Sequence, residues 1–389
     1  MSSIPPPVGD PVAVPAKQAP ARWTSWLVGA SIVVLALVLG WFVPMDTYAV
    51  TPGSATAMAG LVTAKPLHGT APRPPAKGSA YMADVYVTSL NLDRWLYSHA
   101  FDRNADYASS SQILGPGGDE QQLTAQGYVE MSDSKDAARV AAFDQLGLKV
   151  EAKPVGARVD AVSSTGSAHG KLSAGDRVTA VDGVAVQGAC GLIRATHDLS
   201  PGTAMKLTVE RAVFSSVGAL SYAKAATVQV QVGRPNSSAT ASGCPGVDGP
   251  ARGALGVSVT TALSYRWPID VSVRTELVGG PSAGLAMTLQ ILDELTGGKV
   301  LHGRLVASTG TMAMDGQVGD VGGVRQKAVA VGQAGVSLFL VPKGERAPAE
   351  AGAPSGLRVV EVSTLTQALR ELKASSPLAL SPAWARAVA

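Results

Sequence analysis

Six residues, Gly279-Gly280-Pro281-Ser282-Ala283-Gly284, constrain this chain more than any other stretch, because they place a proline and a serine at the start of a helix. Pro281 can occupy a first helical turn, where its missing N–H costs nothing. From Ser282 to Leu295 the residues Leu285, Leu289, Leu292 and Leu295 form one stripe, flanked by Met287 and Ile291, and Gly297-Gly298 supplies a stop. Ser282 then sits at a helix N-terminus, where unpaired N–H groups and the helix dipole favour developing negative charge. Gly279, Gly280 and Gly284 carry no Cβ, so another peptide backbone can approach closely.

Lys327 follows 45 residues after Ser282. A serine hydroxyl is a weak nucleophile near neutral pH and needs a base to take its proton. A lysine serves as that base only when burial pushes its pKa down. Ala328, Val329, Ala330 and Val331 follow Lys327 directly, in a stretch that predicts a helix from Val324 to Gln333 closed by Gly335. Between the two residues, Arg304 to Thr311 predicts a buried strand ending at Thr309, whose hydroxyl could orient the amine. The expectation is a Ser–Lys dyad: Ser282 the nucleophile, Lys327 the base, Thr309 an auxiliary. The backbone of Gly280, Pro281, Ala283 and Gly284 would line the substrate and oxyanion region.

These residues resemble the Lon-type serine proteases. That family's proteolytic domain carries a Gly-Pro-Ser-Ala-Gly motif, a Thr-Gly pair and a Val-Gly-Gly-x-x-x-Lys segment in this order. Here they are Gly280–Gly284, Thr309-Gly310 and Val321–Lys327, and the likeness runs from about Arg252 to Leu372. The resemblance implies an α+β catalytic domain and the same three roles for Ser282, Lys327 and Thr309. There are two departures: Gly279 stands where many members have Asp, and Thr311 where an acidic residue is common. Both bear on auxiliary polar contacts rather than on the nucleophile. Lon-like domains commonly assemble as rings, so a homo-oligomer is also expected.

Two other motifs compete. Gly280-x-Ser282-x-Gly284 fits the elbow of α/β-hydrolases, which needs an acid and then a histidine downstream. Only His302 follows, and too little chain remains for that sheet. Ser132-Asp133-Ser134-Lys135 matches a Ser-x-x-Lys pattern, but no Lys-Thr-Gly partner occurs and the polar surroundings predict a solvated helical stretch.

Net charge is only +3, and no run of five or more Lys/Arg appears, so nucleic acid is not an expected partner. Five histidines and two cysteines lack ligand spacing, so neither metal nor cofactor is expected. No phosphate-binding loop occurs: Gly166–Lys171 is one residue short and runs into Leu172. Classical Lon proteases carry an ATPase module, so this chain is expected to cut unfolded or peptide-like polypeptides without ATP.

Trp23 to Met45 contains no charge, and Val28 to Val43 is almost wholly apolar. About 20 such residues span a bilayer as a helix, and Trp23, Trp26 and Trp41 stand near the ends. The expectation is a single-pass transmembrane helix over 23–45, with 1–22 a disordered cytoplasmic tail and the remainder outside the cell membrane. The alternative, a signal peptide cleaved near Ala55-Thr56-Ala57, has a shorter apolar core.

Residues 46–147 predict a membrane-proximal segment of undetermined role. Thr51-Pro52-Gly53 reads as a turn, Gly69–Gly78 as a Pro-rich loop, Tyr81–Leu90 as a strand and Gln121–Leu146 as a helix. The order resembles PDZ-containing, membrane-anchored Lon-like proteases of bacteria. Residues 148–232 read as short strands, and Gly175-Asp-x-Val-x-x-Val-Asp-Gly183 looks like the centre of a PDZ domain. The resemblance implies peptide binding by strand addition, with Val155-Gly156-Ala157 as the matching loop. Cys190 and Cys244 are compatible with a disulfide, which sequence alone leaves open.

The organisation expected is thus α+β: an N-terminal transmembrane helix, a small β-rich PDZ-like domain (148–232), a linker (233–250), a Lon-type proteolytic domain (251–376) and a tail (377–389). The expected function is a membrane-anchored, ATP-independent serine endopeptidase whose PDZ domain binds substrate or regulates. A membrane-tethered PDZ adaptor that binds without cutting is the alternative.

Overall fold

A computed structural model describes residues 22–68, 70–72, 78–115, 118, 120–216, 219–235, 243–276 and 278–388, with the backbone alone for 22–25. The expected tail at 1–21, and parts of the expected loop at 69–78 and linker at 233–250, lie outside the described residues. The N-terminal part contains α1 (Arg22–Trp41), β1 (Pro44–Ala57), β2 (Val62–Lys65), β3 (Ser79–Asn91), α2 (Leu92–Phe101), β4 (Asp106–Ala108), α3 (Ser110–Leu114) and α4 (Glu120–Gln145). The middle contains β5 (Glu151–Val162), β6 (Arg177–Val181), β7 (Val184–Ala185), α5 (Ala189–His197), β8 (Ala204–Glu210), β9 (Ala212–Phe214), β10 (Leu220–Tyr222), β11 (Ala226–Gln231) and β12 (Val257–Arg266). The rest comprises β13 (Asp270–Val273), α6 (Gly284–Thr296), β14 (Leu305–Ser308), β15 (Thr311–Met312), β16 (Val318–Gly319), α7 (Val324–Gln333), β17 (Leu338–Pro342), α8 (Arg346–Gly352), β18 (Arg358–Val362), α9 (Leu365–Glu371) and α10 (Pro382–Val388).

Two compact units result: residues 1–46 with 89–102, and 47–88 with 103–389. In the first, α1 and α2 are joined by bonds from Asn91 Nδ2 to the Trp41 carbonyl (3.2 Å) and from Leu92 N to the Val43 carbonyl (3.0 Å). The apolar side chains of α1 are exposed from Trp26 onward. The helix is shorter than the 23–45 expected: it ends at Trp41, and Pro44 opens β1. The reason is local, since proline has no N–H for the helical ladder and disfavours helical backbone in the residue before it. Among the described residues no helix is long and apolar enough to cross a membrane.

The second unit holds the larger correction. Its main sheet runs β18-β17-β14-β3-β1-β4. β14 lies parallel to both β17 and β3, with Ala307 opposite Phe339 on one side and Tyr81 on the other. Residues 46–147, expected as a separate segment, therefore supply half of the sheet around which the C-terminal elements fold. They also supply core: Met58, Val62, Ala80, Met82, Met131, Ala138 and Phe143 pack in one cluster with Leu285, Leu289 and Leu292 of α6. Thr51-Pro52-Gly53, expected as a turn, lies within β1. There the Asp84 carboxylate on β3 accepts the Ser54 N–H (2.6 Å), and a Cβ on Gly53 would come within 2.0 Å of Asp84 Oδ1.

A second sheet, β11-β8-β6-β5-β12 with β7 on β6, has a core of its own that includes Val159, Val178, Leu192, Leu207 and Leu255. β12 pairs with β5 from Val257 opposite Val162 to Arg266 opposite Glu151. The boundary expected at 250 thus falls too early, because the strand completing the β-domain comes after the linker. This domain is inserted between α4 and β13 of the larger fold. Cys190, in α5, is bonded to Cys244 across 54 residues, which closes the linker onto the domain.

A fragment spanning 148–266 is expected to unfold cooperatively in a thermal melt. Ending it at 232 removes a ten-residue strand and the buried Leu255 and Ala262. Stability should then fall by more than about 3 kcal/mol. An equally cooperative melt from the shorter fragment would refute this boundary.

Candidate active site

The loop from Gly279 to Ala283 leads into α6, whose first residue is Gly284 and whose left-handed C-cap is Gly297 (φ 72°). Ser282 therefore stands just ahead of the helix rather than inside it, and is half-buried. Its carbonyl oxygen accepts the Gly310 N–H at 2.9 Å and the Thr309 hydroxyl at 3.3 Å. Thr309 follows β14 directly, is fully buried, and accepts a bond from Lys327 Nζ at 3.3 Å. The structure thus brings Ser282, Thr309 and Lys327 together. Among the described hydrogen bonds none joins the Ser282 hydroxyl to the Lys327 amine directly; Thr309 is the link.

Lys327 lies one turn into α7, whose N-cap Gly323 adopts φ 69° and packs against Val85 of β3. Its side chain is only 3 % exposed. Burial pushes its pKa down to about 8, against the opposing pull of the Asp84 and Glu345 carboxylates. Asp84 lies in β3, in the part of the chain where no role was read from the sequence.

The backbone around Ser282 divides its donors. Gly280 adopts φ 87°, and its N–H is already engaged with the Gly127 carbonyl of α4 at 2.8 Å. Pro281 has no N–H. The Gly284 N–H donates to the Pro281 carbonyl at 3.4 Å. Of the four residues expected to line an oxyanion site, only Ala283 thus keeps an amide that donates to no partner among the described backbone hydrogen bonds, and the Ser282 amide beside it likewise donates to none. Gly284 has a packing reason: a Cβ there would lie 2.6 Å from Met312 N and 3.0 Å from Ser134 Oγ. A cleft of about 410 Å3 opens beside the loop, with Pro281, Met312 and Met314 on one side and Arg158, Thr260 and Tyr265 of the inserted domain on the other.

The Ser132–Lys135 stretch, expected to be solvated, is so only in its first half, where Asp133 stays about half exposed. Ser134 (4 % exposed) and Lys135 (7 %) are buried on α4, and burial, with Arg139 beside it, pushes Lys135 down to about 8.

Val155, Gly156 and Ala157 do not form the peptide-binding loop expected of them. They lie inside β5, where Gly156 and Ala157 pair with Ala262 and Thr261 of β12, and Ala157 also pairs with Val178 of β6. An interior strand has no free edge for an added peptide. Gly156 is needed there because a Cβ would meet the Val178 carbonyl at 2.7 Å. The edge strands of this sheet are β11 and β12, and β12 is the one beside β5. With Gly253–Gly256 and α5 it lines a cavity of about 890 Å3 whose far wall includes Leu114, Gln122 and Leu123. The available signal was Gly253-Ala254-Leu255-Gly256 ahead of the alternating Val257-Ser258-Val259-Thr260.

Two separate stretches of the chain match known families, and neither stretch includes β12 or the N-terminal strands of the main sheet. Residues 273–372 match the family model of the Lon protease (S16) C-terminal proteolytic domain, and residues 144–233 match that of the PDZ domain. The Lon protease of Neorickettsia sennetsu is 31% identical over 105 residues, which cover 26% of this chain and 12% of that protein. Lon protease 1 of Herpetosiphon aurantiacus is 36% identical over 90 residues, covering 23% and 11%. The chain therefore spans about an eighth of the length of the curated relatives it matches. Among solved structures, the PDZ domain of the SdrC-like protein from Listeria monocytogenes aligns at 17% identity and a TM-score of 0.20, over 27% of this chain and 87% of that one. The chain is thus a mixed α+β protein with one stretch similar to PDZ domains and another similar to the C-terminal proteolytic domain of Lon proteases.

A buried amine of this kind carries a stability cost. At about 1.36 kcal/mol per pKa unit, the drop from 10.5 to about 8 corresponds to roughly 3 kcal/mol. Because the folded-state value is depressed, the cost is fully present below about pH 8 and fades as pH rises towards 10.5. Lys327→Met is accordingly expected to melt higher than the parent chain at pH 7, with a smaller difference at pH 10. A lower melting temperature at pH 7 would show that the amine is not held at a cost.

Proposed function

We propose that this chain is an ATP-independent serine endopeptidase using a Ser–Lys dyad on unfolded or peptide-like polypeptides. The single observation carrying the reading is the buried Lys327 amine, bonded through Thr309 to the Ser282 backbone. Ser282 attacks the scissile carbonyl while neutral Lys327 takes its proton. The Ser282 and Ala283 amides receive the oxyanion, at the positive end of α6. Lys327 then protonates the leaving amine, and water releases the acyl-enzyme. Thr309 holds the amine in register with the serine between the two steps. The substrate chain lies in the cleft beside Pro281 and Met312, and an extended peptide adds to the free edge of β12 in the inserted domain.

Attachment to a membrane through α1 forms part of the same reading. Its support is the exposed apolar surface from Trp26 to Val43, which in water would favour association with lipid.

Incubation of residues 46–389 with unfolded casein tests the catalytic reading. Fragments are expected from the parent and none from Ser282→Ala or Lys327→Ala, a loss of at least about a hundredfold. The rate should rise with pH through about 8 as Lys327 loses its proton. Cleavage by Ser282→Ala, or a rate flat from pH 6 to 10, rejects the dyad. Membrane attachment is tested by alkaline carbonate extraction of the full chain from cell membranes. The full chain is expected in the pellet and residues 46–389 in the supernatant; full chain in the supernatant rejects attachment.

A further inference from the structure

The Ser-x-x-Lys pattern at 132–135 took no part in the catalytic reading, yet the structure places it against the nucleophile loop. Ser134 Oγ donates to the Pro281 carbonyl at 3.0 Å. Two turns earlier on the same helix, the Gly127 carbonyl accepts the Gly280 N–H at 2.8 Å. At that point the two backbones touch, since a Cβ on Gly279 would lie 3.3 Å from Gly127 Cα. Two successive parts of the loop are therefore clamped on α4, a helix more than 130 residues away in sequence.

The Ser134 bond has a directional consequence. A trans peptide points its carbonyl and the following N–H in opposite directions across one plane. With the Pro281 carbonyl turned onto α4, the Ser282 N–H on the same plane is turned away from the helix. That amide is one of the two left to receive an oxyanion. Two glycines of the loop keep the clamp close: a Cβ on Gly279 would crowd the Gly127 backbone at 3.3 Å, and one on Gly284 would lie 3.0 Å from the Ser134 hydroxyl, whereas Gly127 itself has room for a Cβ at ordinary contact distance.

We propose that Ser134 is a positioning residue for the oxyanion donor, aiming the Ser282 amide through its hydrogen bond to the Pro281 carbonyl. The proposal rests on the reading of Ser282 as nucleophile. Ser134 borders the cleft proposed for the substrate but touches none of the reacting atoms. It acts on the transition state through the peptide plane, so its removal lowers kcat and leaves KM nearly unchanged.

The test measures casein cleavage by the full chain in detergent together with the rate of Ser282 labelling by a fluorophosphonate, whose reaction places negative charge on the phosphoryl oxygen. Ser134→Ala is expected to lower kcat and the labelling rate in parallel by about tenfold, with KM within twofold. The pH at which the rate rises should not move, because Lys327 is untouched. Ser134→Thr, which keeps the hydroxyl, should recover most of both rates. Should the alanine variant fail to fold, Ser134→Cys, of similar size and a weaker donor, provides the same comparison. Normal kcat and labelling in a folded Ser134→Ala or Ser134→Cys overturn the proposal, as does a raised KM with unchanged labelling. If Ser282→Ala still cleaves, the underlying catalytic reading fails instead, which is a separate result.

Discussion

The carbonyl oxygen of Ser282 is the joint on which the candidate site depends. It receives the Gly310 N–H and the Thr309 hydroxyl, and that same hydroxyl accepts the Lys327 amine. One short network therefore ties three elements: the loop before α6, the end of β14 and the second turn of α7. None of the three could be displaced without leaving a buried polar group unpaired, at about 1–3 kcal/mol each. The distance between amine and serine is thus set by backbone placement as well as by side-chain rotamers. Long lysine side chains lose considerable freedom on being fixed, and here a buried threonine supplies the acceptor that fixes one.

Keeping an amine dry requires walls. On one side of the sheet, Ala83 of β3, Ala307 of β14 and Val324 and Ala328 of α7 share one apolar cluster. Small side chains there let α7 come close to the strands, which is what brings Lys327 to the strand ends. The other side is filled by α6 against α4 and the N-terminal strands. Burial lowers the lysine pKa and the Asp84 and Glu345 carboxylates raise it, and the balance falls near the pH at which proton transfer works well. The packing that disfavours the charged amine is the same packing on which the proposed role of Lys327 as a base depends.

What could be read from the sequence was whatever depends on neighbours along the chain. The helical stripe Leu285–Leu295 with its glycine stop, the α7 boundaries closed by Gly335, and the strand before Thr309 were all legible, because periodicity and capping are local. Ser282, Thr309 and Lys327 were singled out on other grounds, as motifs in a fixed order, and their nearness in space depends on the fold. The contribution of 46–147 was not legible. A strand pattern such as Tyr81–Leu90 shows that a strand exists but carries nothing about its partner, and β3 pairs with β14 more than 200 residues later. Ser134 and Lys135 were misjudged because polar residues suggest solvent, whereas here the inserted domain and the nucleophile loop cover the helix. The peptide loop was misplaced for a related reason. Val155–Ala157 precedes a strand in sequence order, but only the sheet order shows β5 as interior and β12 as an edge beside it.

The insertion of one domain into the other has a physical consequence for the site. An appended domain needs one linker, whereas an inserted one must leave and re-enter at adjacent points, here the end of α4 and the start of β13. Helix α4 is consequently held from both sides. Tyr128 packs on Phe214 of the inserted domain with ring centroids 5.4 Å apart, while Gly127 and Ser134 grip the loop that carries Ser282. The first turns of the same helix, through Gln122 and Leu123, form part of the cavity between β12 and α5. A helix shared in this way fixes that cavity and the loop carrying Ser282 in one frame. Loosening α4 would therefore disturb both, even though no residue of the inserted domain belongs to the proposed dyad.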